Sequence, residues 1–108
     1  MDLRPYIERF AQRLAEVEAL LADPGAFDNK ARAQELSREY ARLKHLVAMG
    51  AAYTKVCADL EANRALVAAE PAGSELAEMA REEIRRLETE EQRLAREVQG
   101  GIVPPDPA

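Results

Sequence analysis

Residues 29–69 read NKARAQELSREYARLKHLVAMGAAYTKVCADLEANRALVAA, a stretch with no proline and a single glycine, Gly50. Leu36, Tyr40, Leu43, Val47 and Gly50 recur three or four positions apart, which sets them on one face of a helix. The row continues through Tyr53, then Val56 or Cys57, then Leu60 and Val67. Either Val56 or Cys57 fits, the drift in phase expected when a straight helix meets a heptad repeat. Pro24 and Pro71 bracket the stretch. Nothing between them breaks a helix, so the spacing predicts one of about 40 residues and roughly 60 Å. Gly50 has two readings: close helix packing at a small-residue patch with Met49, Ala51 and Ala52, or a bend.

Two shorter rows flank this spine. Leu3, Ile7, Phe10, Leu14, Val17 and Leu21 form the first, and Leu76, Ala80, Ile84, Leu87, Leu94 and Val98 the second. The first helix is expected over about residues 3–22, with Asp2 as a cap and Pro5 in the first turn. Pro24 pushes Asp23 out of helical geometry and ends it. Asp28 or Asn29 can cap the second helix, expected over 29–69, and Ser74 the third, over 74–99. Gln99-Gly100-Gly101 should stop the third helix, Gly100 taking a left-handed conformation. The fold expected is all-α: an elongated antiparallel three-helix bundle, coiled-coil-like, with a long central helix. The helical domain should occupy 1–101, and 102–108, rich in proline, should begin a linker. Such a core is mostly two helices thick and leaves apolar surface for another domain or chain.

Charge and composition exclude several roles. Charged residues make up 32% of the chain and Trp is absent, a balance typical of long helices rather than of a large globular core. There is no apolar run of transmembrane length and no signal-peptide pattern, so a cytoplasmic protein without membrane contact is expected. The lone Cys57 fits a reducing compartment. The net charge of −5 is uneven: residues 28–70 carry seven basic and six acidic side chains, residues 71–108 five and nine. Broad binding to naked nucleic acid needs concentrated positive charge and is disfavoured. One local exception is Lys30, Arg32, Arg38, Arg42 and Lys44. Its plain reading is a solvated face, Glu35 paired with Arg38 and Glu39 with Arg42.

Catalytic chemistry finds no constellation. His45 is the only histidine and lacks the company a metal site requires. Cys57 lies more than three helical turns from it and reads as a small buried hydrophobe. Glu82, Glu83, Glu88, Glu90 and Glu91 read as a solubilising helix surface. No cofactor and no enzyme activity are expected of these residues.

Two segments carry a family signature. The first is Leu36-Ser37-Arg38-Glu39-Tyr40-Ala41-Arg42-Leu43, preceded by Leu21-Ala22-Asp23-Pro24. The second is Met79-Ala80-Arg81-Glu82-Glu83-Ile84, leading on to Val103-Pro104-Pro105-Asp106-Pro107. In this order they resemble the N-terminal helical domain of a bacterial class I peptide chain release factor, and the exit resembles the UAA- and UAG-reading type. Where that family usually has Lys, Pro105 stands here. The resemblance implies a full protein that recognises stop codons in the ribosomal A site and triggers peptidyl-tRNA hydrolysis. The codon-reading and Gly-Gly-Gln domains of such a protein are not among these 108 residues, so the chain looks like an excised domain. The resemblance implies partners at the ribosomal stalk base and GTPase-associated region, the class II release factor GTPase, and the rest of the same factor. For contacts, the candidates are Lys30, Arg38, Arg42 and Lys44. The alternative, from the thin core and heptad spacing, is a self-associating coiled-coil scaffold that forms a weak homodimer.

Overall fold

The computed structural model describes residues 1–102; the Pro104-Pro105-Asp106-Pro107 exit lies outside the described residues. Three helices follow in order: α1 (Arg4–Ala22), α2 (Lys30–Ala69) and α3 (Glu75–Gly100). Together they form a rod of 66 × 32 × 18 Å. Its radius of gyration is 19.4 Å, against about 13 Å for a compact domain of some 100 residues.

Local chemistry sets the helix ends. The Asp2 carboxylate accepts the Arg4 amide at 3.1 Å, and Leu3 O accepts the Tyr6 and Ile7 amides. Asn29 caps α2 by accepting the Arg32 amide at 3.1 Å. Ser74 Oγ accepts the Ala77 amide at 3.3 Å to open α3, where Glu75 and Glu78 meet the positive helix start. The end of α3 differs from expectation. Gly100 is the last helical residue and Gly101 follows at φ −81°, ψ −9°, still right-handed. The left-handed glycine is Gly73, at φ 82°, in the turn between α2 and α3. Gly101 serves a different purpose: a Cβ there would stand 2.5 Å from Leu46 Cδ2, so the bare backbone lets the end of α3 close onto α2.

α2 is the spine, and both other helices pack against it. Side-chain pairs give the directions. Arg13 of α1 meets Glu39, and Ile7 lies against Gly50, so α1 runs antiparallel to α2. His45, Cys57 and Arg64 meet Glu97, Glu91 and Glu88, so α3 is antiparallel too. All three helices share one core cluster, built on Leu3, Phe10, Val17, Leu36, Leu43, Leu46 and Val98. Beyond the reach of α1 the core thins to two helices, with Val56, Leu60, Leu87 and Leu94. Val56, not Cys57, therefore takes the core position. Leu76 departs from the expected row: it is 46% exposed, and Ala77 beside it is fully buried. Next to the tight α2–α3 turn the small side chain faces the partner helix and the large one is displaced to the flank. Gly50 lies inside an unbroken α2 under Ile7, which makes it a packing glycine rather than a hinge.

Candidate partner-binding surface

The ion pairs of α2 differ from those the local spacing suggests. Glu39 does not pair with Arg42. It accepts two hydrogen bonds from Arg13 of α1, Nε to Oε2 at 2.7 Å and Nη2 to Oε1 at 2.8 Å. This two-pronged geometry is stronger than a single contact along one helix. The Arg13 hydrogen bonds hold the Glu39 carboxyl below its ordinary pKa and raise that of the guanidinium. Glu35 pairs with Arg32 at 3.7 Å, not with Arg38. Both nearby carboxylates of α2 are thus taken. Among the described residues, Lys30, Arg38, Arg42 and Lys44 have no carboxylate within ion-pair distance, and all four are exposed.

The structure brings only part of this set together. Each residue of a helix turns by about 100°. Arg38 and Arg42, one turn apart, therefore share a side of α2. Lys44 faces nearly the other way from Arg42, and its Nζ stands 5.7 Å from the centre of the Tyr40 ring. Lys30 sits at the helix start, lining a groove of about 380 Å³ with Phe27, Ala33, Gln34 and Ser37. Arg42 lines a separate groove of about 390 Å³ with His45, Leu46, Arg96, Glu97, Gly100 and Gly101. Arg96 and Phe27 escaped the sequence reading. Arg96 becomes a neighbour of Arg42 only through the antiparallel register of α2 and α3. Phe27 did leave a signal, as a large aromatic in a polar loop and off every helical row.

The groups weighed for catalysis are dispersed. His45 is exposed, its Nε2 3.4 Å from Glu97 Oε2. Cys57 is half-buried, and its thiol donates to Glu91 Oε2 at 3.8 Å. Burial, with the Glu91 carboxylate adding to it, pushes the Cys57 pKa up and keeps the thiol protonated. Among the described residues, no cluster of three or more His, Cys, Asp or Glu is placed to hold a metal ion. No described helix is long and apolar enough to cross a membrane.

A thin-cored rod of three antiparallel helices, with four exposed and unpaired cations on its longest helix, is an all-α helical domain. A family model described as the PCRF domain matches residues 10–108, and the chain belongs to that family, as a domain of the class I peptide chain release factors. It is 42% identical over 101 residues to peptide chain release factor 1 of Pelobacter propionicus, covering 94% of this chain and 27% of that protein. The protein of the same name from Akkermansia muciniphila is 37% identical over 106 residues, covering 98% of this chain and 29% of the relative. That of Thermus thermophilus is 36% identical over 101 residues, covering 94% and 27%. The chain thus spans between a quarter and a third of the length of these relatives. No solved structure matches it. The class I release factor family that the Leu36–Leu43 segment and the proline-rich exit resemble is the one these relatives are named for, and the family does not favour the self-associating scaffold.

Proposed function

We propose that this chain is the docking arm of a translation termination factor. The whole factor would recognise UAA and UAG in the ribosomal A site and trigger peptidyl-tRNA hydrolysis, both through residues outside these 108. The arm would seat the factor near the stalk base and GTPase-associated region of the ribosome. It would also offer the class II release factor GTPase a surface to act on. The observation that carries this reading is the pair Arg38 and Arg42. With Glu39 claimed by Arg13 and Glu35 by Arg32, these two guanidinium groups keep their charge free on the outside of a rigid helix. Free charge of one sign steers and orients association more than it stabilises a fold. The test is Arg38→Glu with Arg42→Glu in the intact factor. Ribosome association should fall by about tenfold or more, mostly at low salt, with unchanged helicity. Undiminished association would remove this patch from the interface.

A further inference from the structure

Phe27 is the one aromatic ring outside the core. Tyr6, Phe10, Tyr40 and Tyr53 all pack in the three-helix cluster, whereas Phe27 is 64% exposed. It stands at the mouth of the groove formed with Lys30, Ala33, Gln34 and Ser37. At the helical turn of about 100° per residue, Lys30, Gln34, Ser37, Ala41, Lys44 and Ala48 lie along one face that continues from this groove. All six are exposed. The side chains at 37, 41 and 48 are small and allow a second helix to approach closely. The cations at 30 and 44 stand at either end of the first four turns, and no described carboxylate answers them.

We infer that the outer face of α2 from Lys30 to Ala48, together with Phe27 of the loop before it, docks an acidic amphipathic helix of a partner protein, with one of its apolar side chains seated against Phe27. This rests on reading the outer face of α2 as a docking surface, and it names the chemistry of the occupant. An exposed ring beside a groove supplies the apolar anchor that helix recognition uses. The residual charge sets the sign: a basic helix would meet Lys30 and Lys44 unscreened, while an acidic one completes them. RNA is the weaker fit, because the cations are few and separated by small neutral side chains and the whole chain is net acidic, at −5.

The test uses the chain alone, without ribosomes. A displayed library of helix-forming peptides about four turns long, with a fixed apolar row and all other positions random, is panned on it. The enriched peptides should carry an excess of Asp and Glu beside the apolar row. Their affinity should fall by about tenfold or more with Phe27→Ala, and also with Lys30→Glu. Both positions are exposed, so circular dichroism should show the helices intact. The absence of enrichment, enrichment without charge preference, or binding indifferent to Phe27→Ala would each overturn the proposal. So would a single-stranded RNA of similar length bound as tightly and lost with Phe27→Ala, which would make the ring a base-stacking platform. Since no ribosome is present, failure here leaves the Arg38 and Arg42 test to stand or fall by itself.

Discussion

A Cβ built on Gly50 would stand 2.7 Å from Ile7 Cγ2 and 3.1 Å from its Cγ1, so α1 crosses α2 where no side chain fits. Glycine inside a helix costs about 1 kcal/mol relative to alanine. The fold accepts that cost in the middle of its longest helix because the crossing draws Ile7, and with it Leu3 and Phe10, against the spine. Gly50→Ala should therefore destabilise the protein. Overpacking costs about 1–3 kcal/mol, and the gain in helix propensity offsets only part of it. A net loss near 1 kcal/mol would lower Tm by about 4–8 °C for a domain of this size. In an Ile7→Ala background the same change should be neutral or stabilising, because the β-branched clash is gone. A Gly50→Ala variant that melts higher than the parent would refute this account of the crossing.

The link between Arg13 and Glu39 ties α1 to α2 by charge as well as by packing. The folded state holds the Glu39 pKa below its ordinary value, through the Arg13 hydrogen bonds first. A lowered carboxylate pKa stabilises the fold above the unfolded value, ordinarily about 4.3, and the gain disappears as pH falls through the folded value. The parent should thus be more stable than Glu39→Gln at pH 7, and the two urea midpoints should converge in acid. A gap of equal size at pH 7 and at pH 3 would show that Glu39 acts through packing and not through its charge.

Glu91 occupies the place between Leu87 and Leu94 where the α3 row calls for an apolar residue, and it faces the Cys57 thiol. Burial raises the thiol pKa and the carboxylate raises it further, so little thiolate exists near neutral pH. Iodoacetamide should alkylate native Cys57 more slowly than the urea-unfolded chain at pH 8. Glu91→Gln, which removes the negative charge, should speed the native reaction without unfolding the protein. A native rate unchanged by Glu91→Gln would leave burial alone as the cause.

Much of this architecture is legible in the residues, because its signals are local. Pro24 and Pro71 mark the breaks, Asn29 and Ser74 cap the helices they precede, and the rows from Leu3 to Leu21, from Leu36 to Leu60 and from Ala80 to Val98 name most of the core. What escaped depends on neighbours from another helix. Leu46 is buried because the bare end of α3 at Gly101 folds onto it. Glu39 chose Arg13 over Arg42 because a two-pronged bond across helices outcompetes a contact along one. Spacing rules within a single helix cannot see either event. The candidate surface was legible as a list of cations, but not as a shape. The register of the helices places Arg96 beside Arg42.

Gly73 and Gly100 offer a clean comparison, since a Cβ at either would meet nothing within 4 Å. Only the backbone separates them. Gly73 sits at φ 82°, in the left-handed region, whereas Gly100 is the last residue of α3. An L side chain in the left-handed region costs about 1–2 kcal/mol, so Gly73→Ala should destabilise the α2–α3 hairpin by that order. Gly100→Ala should stabilise the end of α3 by a fraction of the roughly 1 kcal/mol that separates the two residues in a helix interior. Amide exchange resolves the two changes: protection should fall around Ser74 and Ala77 in the first variant and rise around Val98 and Gln99 in the second. If Gly100→Ala were the more damaging substitution, the left-handed stop that the Gln99-Gly100-Gly101 sequence suggests would be restored to position 100, and the right-handed end of α3 would be wrong.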